Sequence, residues 1–530
     1  MNCFAQPPAR PKCFSLSVKK CLFVIVLQAV LMSATAQTSV ILQADLPGDK
    51  ISKHIYGHFA EHLGRCIYDG IYVGDTNRTI PNTNGIRNDV VDALKKLKVA
   101  NLRWPGGCYA DIYHWNDGVG PKSARTPIIN RWWGNVTEDN SFGTHEFLEL
   151  CTKIGAEPYL AGNMGSGTVR ELAEWAEYVN AKAGTGPMAR WREQNGKKEP
   201  WNVKYWGVGN EAWGCGGNMR PEFYANLYRQ YATFMTNWDN SDKIFRVASG
   251  SNGNDFNWTD VLMRDVPASM MEGLSLHHYA VINWSKKGSA TNFTEEQYFA
   301  TMKSALQMEE LVSRHSTIMD KYDRSKKVAL VVDEWGGWYE VEPGTNPGFL
   351  YQQNTMRDAM IAGVTLNIFN NHCDRVRIAN LAQTVNVLQS VILTDKQKLL
   401  LTPTYHVLEM YNVHQDAQLL PVHFNSPEYV LGTEKLPAVS VSASKDKNGS
   451  TNISLVNIDA GKSQSISIDL RGGKFTTVSG RILSAKKLQD HNSFDDPDKI
   501  QPVVFNGAKL NGTKLDLVLP PFSVVVLNLK

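Results

Sequence analysis

An excess of charge of one sign is missing from this chain: 55 Lys and Arg stand against 52 Asp and Glu, a formal net charge of +3 over 530 residues. No Lys/Arg block lies outside the N-terminus to track a phosphate backbone, so nucleic acid is excluded as a partner. Cysteine is scarce, 8 in all. Beyond residue 36 only Cys66, Cys108, Cys151, Cys215 and Cys373 remain, an odd and scattered set that does not read as a disulfide framework. Long apolar runs are absent after the N-terminus, so no stable membrane span is expected. Metal-ligand spacing is also missing, since "HH" at His277 and "HCD" at His372 match no zinc or iron pattern. The expectation is of no metal and no cofactor. A serine-hydrolase elbow, G-x-S-x-G, fails at "MGSGT", where Gly165-Ser166-Gly167 is one residue too compact.

At the N-terminus Lys19 and Lys20 precede the apolar run "CLFVIVLQAVLM", and "SATAQ" then offers Ala34-Thr-Ala36 as an A-x-A cleavage site. Residues 1–36 therefore read as a signal peptide, and the mature chain as exported, periplasmic or secreted. The competing reading is a short membrane anchor, for which the run falls short of the ~20 apolar residues a span needs. Sequons occur, as at Asn77 and Asn292, and matter only in a host that glycosylates.

From residue 54 to 405, runs with strand character, "IYGHF", "VANLRW", "AEPYLAG", "VKYWGVGN", "FRVASG", "GLSLHHY", "VALVVDEW" and "VTLNIFNN", alternate with amphipathic stretches such as "IRNDVVDALKKLK" and "TVRELAEWAEYVNAK". Such alternation means a parallel sheet, and this many repeats predict a (β/α)₈ TIM barrel, an α/β fold. Over 406–530 the pattern changes to period-two strands, "AVSVSAS", "TNISLVNI", "SISIDL" and "LDLVLPPFSVVVLNL", which predict an accessory antiparallel β-sandwich. Residues 37–53, with "SVILQADL", supply a strand joining that sandwich.

Function in a barrel gathers where strands end. There the sequence places Glu61, Arg103 with Cys108, Asn210-Glu211, His277-His278-Tyr279, Asp333-Glu334-Trp335 and "FNNHCDR", with tryptophans dense nearby. The stretch "GVGNEAWGCGG" also fits a dinucleotide fingerprint at Gly207, Gly209 and Ala212. It lacks the immediate helix and the acid ~20 residues on that such a site requires. Glu211 thus reads as a carboxylate at the end of strand four. With Glu334 on strand seven it forms a pair that could flank a glycosidic bond as acid/base and nucleophile. Taken alone, "NE" is also a common helix N-cap. For His277 and Tyr279 a hydrogen-bonded core role and substrate contact both stay open, and Arg103 reads as a buried partner orienting a carboxylate.

The motifs "IYGHFAEHLGRCIYDGIY", "NLRWPGGCYADIYHWNDGVGP", "GVGNEAWGCGG", "LSLHHY", "DEWGGWY" and "HCDRVRIANLAQTVNVLQ" resemble those of glycoside hydrolase family 51, the α-L-arabinofuranosidases. The resemblance implies a (β/α)₈ barrel with a β-sandwich and a retaining mechanism, with Glu211 as acid/base and Glu334 as nucleophile. It further implies that Asn210 bonds the sugar O2, that Glu61, His277, Tyr279 and Gln383 bind the furanose, and that Trp133 closes the site. Cys108 stands beside the sugar where many members have an Asn. The implied partners are arabinose-containing plant cell-wall glycans or oligosaccharides. Other readings are a retaining endoglucanase or xylanase on the same barrel, or a non-catalytic carbohydrate-binding protein. The oligomeric state is open, a homo-oligomer included.

Overall fold

Eight parallel strands close into a barrel in chain order: Gly57–Phe59, Asn101–Trp104, Glu157–Gly162, Tyr205–Val208, Phe245–Asn252, Gly273–Ala280, Ala329–Gly337 and Val376–Ala382. This computed structural model describes residues 37–238 and 243–530, with residues 1 and 9. The segment read as a signal peptide therefore lies, but for those two residues, outside the described ones. Strands of a parallel barrel are covered on both faces, which explains near-continuous apolar runs such as the wholly buried Ala329–Gly337. Most of the helices between them bury one stripe each. Their ends are set by local chemistry: Thr294 and Gln297 form a capping box before Glu295–Tyr322, and Gly155, at φ 75°, takes the left-handed turn after Thr144–Ile154.

One element differs in kind from the sequence reading. "VTLNIFNN" is not the eighth strand; it belongs to the helix Met356–Asn371, opened by a Thr355/Asp358 capping box, and the eighth strand is Val376–Ala382. Every residue from Met356 to Asn370 is buried, so this helix shows no polar stripe. An apolar run without a polar face cannot be told from a buried strand by periodicity. The helix is covered all round because the barrel lies on one side and a C-terminal sheet on the other. Asn367 and Asn370 donate to Ser440 and Ser442 of that sheet, at 3.1 and 3.0 Å.

The C-terminal sheets contain six and five strands, and antiparallel pairing predominates. The exception is instructive: Thr38–Gln43 enters the five-stranded sheet as an interior strand, antiparallel to Val422–Phe424 and parallel to Gln464–Arg471. Its Val40 and Leu42 are fully buried.

The seventh barrel strand carries a bulge that matters for function. Ser275 pairs with Val331, but two residues later His277 pairs with Glu334, so the seventh strand holds one extra residue. The same slip recurs on its other side, between Val332 and Trp335. Regular strands send consecutive side chains to opposite faces, and a bulge re-aims them. Here it turns both Asp333 and Glu334 toward His277.

Because Leu42 anchors an interior strand, Leu42→Ala should lower stability by about 2–5 kcal/mol, as other buried Leu truncations do. Urea unfolding monitored by fluorescence would measure this. A loss under about 0.5 kcal/mol would mean that the N-terminal strand contributes little.

Candidate active site

The C-terminal ends of the barrel strands converge on one cluster of charge. Glu334 Oε1 accepts from Arg103 Nη1 at 2.9 Å, and its Oε2 accepts from the Tyr279 hydroxyl at 2.8 Å. Arg103 also donates to the Asn210 side-chain oxygen at 2.7 Å and lies over the Phe59 ring, 4.5 Å from its centroid. His277 stands between carboxylates, its Nδ1 2.9 Å from Glu211 Oε1 and 3.6 Å from Glu334 Oε2, its Nε2 3.1 Å from Asp333 Oδ1. Facing a carboxyl group with each nitrogen, His277 can donate from both as an imidazolium. Burial would depress the His277 pKa, but Glu334, Asp333 and Glu211 outweigh it and hold it up at about 10.

Glu211 follows strand four in the left-handed region, at φ 40°, a conformation uncommon outside glycine and concentrated at functional sites. The turn is held by the Gly214 and Gly216 N–H groups, which donate to the Glu211 carbonyl at 2.7 and 3.1 Å. A Cβ at Gly216 would meet the Asn210 carbonyl at 1.9 Å, so only glycine fits there. Burial raises the Glu211 pKa, His277 opposes this, and the charge of Glu334 adds to it, leaving the carboxyl above its ordinary value. One side-chain oxygen of Glu211, one of Glu334 and a ring nitrogen of His277 all lie within 4.8 Å of one another.

A third glutamate completes the pocket. Glu61 Oε1 accepts from the Tyr109 N–H at 3.0 Å and the Trp133 indole at 2.9 Å, and its Oε2 from the Gln383 amide at 3.0 Å. Burial, then Glu334, push its pKa up to about 7 against these donors. The "WPGG" turn lies beneath: a Cβ at Gly107 would sit 3.0 Å from Glu334 Oε1, so larger side chains would crowd both carboxylates. A cavity of about 1030 Å³ opens on the Glu211 side, lined by Trp213, His277, Tyr279, Trp284 and Trp338 among others.

The structure thus brings together Glu61, Trp133, Asn210, Glu211, His277, Tyr279, Glu334 and Gln383, and places Arg103 beneath the carboxylates. Cys108 is close to this cluster but is not a free thiol. It is bonded to Cys215, with Cα atoms 5.4 Å apart. The scattered-cysteine reading is corrected here, because the bridge joins the loops after strands two and four, which the barrel makes neighbours at a separation of 107 residues. The Cys215 sulfur lies 3.5 Å from Glu211 Oε2. Two side chains were given no role from sequence. Asp333 binds His277 and accepts from the Tyr159 hydroxyl at 2.7 Å. Asp111 accepts from the Met164, Gly165 and Asn210 N–H groups, at 2.8, 2.8 and 3.2 Å, fixing the backbone just before Glu211. Asp333 was signalled by its place beside Glu334; Asp111 had no signal beyond lying past "WPGG".

The carboxylate sets near Glu211 offer little to a cation. His277 has both nitrogens committed as an imidazolium, and the two sulfurs are bonded to each other. Among the described residues, no helix is long and apolar enough to cross a membrane.

A (β/α)₈ barrel with paired glutamates at its mouth defines a glycoside hydrolase. Residues 93–297 match the family model described as the alpha-L-arabinofuranosidase 1 domain, and residues 333–523 that of the alpha-L-arabinofuranosidase C-terminal domain. The chain is 51% identical, over 95% of its length and 97% of the relative's, to a Bacteroides ovatus protein named intracellular exo-alpha-L-arabinofuranosidase. Its fold is similar to the family 51 arabinofuranosidase of Xanthomonas axonopodis pv. citri, with a TM-score of 0.91 and 47% identity over 93% of this chain and 100% of that one. It is also similar to the Thermotoga maritima α-L-arabinofuranosidase solved with arabinose, with a TM-score of 0.81 and 30% identity over 93% and 99%. The chain belongs to glycoside hydrolase family 51, the α-L-arabinofuranosidases.

The expectation of export is corrected by the same comparison, since the Bacteroides ovatus relative is named an intracellular enzyme. Two lysines before a dozen largely apolar residues are a short compositional pattern, and Ala-x-Ala is shorter still.

The Cys108–Cys215 bridge closes a long loop, and removing such a crosslink costs about 2–5 kcal/mol. Cys215→Ser should therefore lower the Tm in calorimetry, and reducing agent should lower the wild-type Tm toward that of the variant. Equal melting of wild type and variant under oxidising conditions would show that the bridge carries no stability.

Proposed function

We propose that this protein hydrolyses terminal non-reducing α-L-arabinofuranosyl residues with retention, using Glu334 as nucleophile and Glu211 as acid/base. The observation that carries this reading is the separation of the pair, with an oxygen of each carboxylate within 4.8 Å of the other. Oxygens this close suit the ~5–5.5 Å carboxyl separation of retaining glycosidases better than the ~6.5–9.5 Å that admits an inverting water. The exo action is the one in the name of the Bacteroides ovatus relative.

Arg103 and Tyr279 hold the two oxygens of Glu334, which aims the carboxylate. Glu334 attacks the anomeric carbon as the glycosidic bond breaks, and Glu211 gives its proton to the departing oxygen. The raised pKa of Glu211 keeps that proton available. Esterification of Glu334 then removes the charge that helped raise it, so Glu211 accepts a proton from the water that releases arabinose. Glu61, its pKa pushed up to about 7 by burial and by Glu334, is suited to hold furanose hydroxyls, as are Asn210, Gln383 and the Trp133 indole. The polymer substrates are arabinose-containing plant cell-wall glycans or oligosaccharides.

Glu334→Ala should abolish turnover of every arabinofuranoside. Glu211→Ala should spare formation of the glycosyl-enzyme from an aryl substrate with an acidic leaving group while slowing its breakdown by about 10²–10⁴-fold. Azide should restore turnover and give an arabinosyl azide with the substrate's anomeric configuration. An inverted azide, or rescue confined to Glu334→Ala, would exchange or overturn the assigned roles.

The pH profile gives an independent check. Activity needs Glu211 protonated, so it falls as pH rises through the Glu211 pKa. His277 lowers that pKa by hydrogen bond and charge. His277→Ala removes both effects, and the alkaline limb of kcat/KM should move to higher pH along with a reduced maximum. A limb that stays put or moves down would show that Glu211 does not set it.

A further inference from the structure

We infer that Asn130 is a positioning residue for the reaction: its side-chain amide fixes the turn that carries Trp133, and through that turn the bond between the Trp133 indole and Glu61. The inference rests on the reading above, in which Glu61 and Trp133 hold the furanose. It adds a residue that acts on the sugar only through Trp133.

Trp133 lies at the tip of a hairpin inserted after the second barrel strand, where Ile128–Asn130 pairs antiparallel with Val136–Glu138. A two-stranded hairpin is marginally stable by itself. This one has no core of its own, since Ile129 and Trp132 are exposed. Its shape must therefore come from what its buried residues bond. Asn130 is fully buried, and its amide is used at both ends. Its Nδ2 donates to the His62 carbonyl at 2.6 Å and to Glu138 Oε1 at 3.0 Å, which takes both N–H groups, and its Oδ1 accepts from the Trp133 N–H at 3.1 Å. Turned the other way, the amide would set its oxygen against two acceptors and its NH₂ against an N–H, so only one orientation is satisfied.

These bonds close a ring. The Trp133 indole donates to Glu61 Oε1 at 2.9 Å, Glu61 is followed in the chain by His62, the His62 carbonyl accepts from Asn130, and Asn130 accepts from the Trp133 N–H. One amide thus spans both partners of the Trp133–Glu61 contact. Beyond Trp133 the turn is held again: Gly134, at φ 75°, lies so close to Phe349 that a Cβ there would be 2.7 Å from its ring. With the indole fixed, Glu61 is presented to the furanose in one orientation, in the ground state and the transition state alike. Loss of Asn130 should therefore weaken binding more than it slows chemistry.

Wild type, Asn130→Ala, Trp133→Phe and the double variant would be compared on 4-nitrophenyl α-L-arabinofuranoside, with circular dichroism checking the fold. Asn130→Ala should raise KM about tenfold, as loss of one hydrogen bond to a charged group does, while kcat falls by less than about threefold. Trp133→Phe removes the indole N–H and should show the same split. Because Asn130 acts through that N–H, adding Asn130→Ala to Trp133→Phe should cost less than about twofold more, whereas independent sites would multiply their effects. If Asn130→Ala does not fold, Glu138→Ala, which cuts one of the three amide bonds, takes its place, with a smaller rise in KM and the same failure to add to Trp133→Phe. An unchanged KM, a loss confined to kcat, or effects that multiply in the double variant overturn the inference and leave the glycosidase reading standing. Failure of both Asn130→Ala and Glu138→Ala to fold makes the amide a structural residue and also overturns it. Failure of the wild type to cleave any arabinofuranoside overturns both.

Discussion

A buried imidazolium among three carboxylates is costly unless each charge is answered, and His277 meets that condition only because the seventh strand is bulged. Without the extra residue, Asp333 and Glu334 would point to opposite faces of the sheet, and His277 could contact one of them. With it, His277 donates to Asp333 and Glu211 and lies 3.6 Å from Glu334. Arg103 adds a second cation, bonded to Glu334 and 3.6 Å from Asp333. Removing one member of such a buried set leaves another uncompensated, which is far more destabilising than the pair is stabilising. The barrel's seventh strand and its chemistry are therefore one constraint.

Glycine positions follow from the same crowding. Gly107 lies where a methyl group would press on Glu334, and Gly216 where one would collide with the Asn210 carbonyl. The run "GVGNEAWGCGG" is glycine-rich because the backbone must turn back under Glu211. The dinucleotide resemblance arises from this need for close backbone approach, which phosphate cradles and tight carboxylate turns share.

Much of this was legible in the sequence, and what was not has particular causes. Strands one to seven were readable because each is a short apolar run followed by polar residues at its C-terminal end, and Glu211 and Glu334 stand at two of those ends. The eighth strand was misread because Met356–Asn371 is buried all round, which removes the periodicity that marks a helix. The bulge was invisible, since "VVDEW" looks like an ordinary strand end; Asp333 could be seen at the mouth but not turned toward His277. Cys108 and Cys215 were unreadable as a pair because only barrel closure makes the second and fourth loops neighbours. Export was read from a segment whose signal is compositional, and the named relative overturned it.

The cluster's charge also explains why its cations and anions are matched in number. In the resting state of the proposed cycle Arg103 and His277 carry positive charge, Asp333 and Glu334 negative, and Glu211 is protonated. These charges cancel. When Glu334 becomes an ester it loses its charge, and in the same step Glu211 loses its proton to the leaving group and becomes negative. The sum is again zero. Hydrolysis reverses both changes together. In a site this buried, any step leaving a net charge would meet the low-dielectric cost of an unanswered ion. Electroneutrality thus couples bond formation at Glu334 to proton transfer at Glu211 through His277, which touches both. Glu61 stays outside this exchange: its oxygens are already taken up by the Tyr109 N–H, the Trp133 indole and the Gln383 amide.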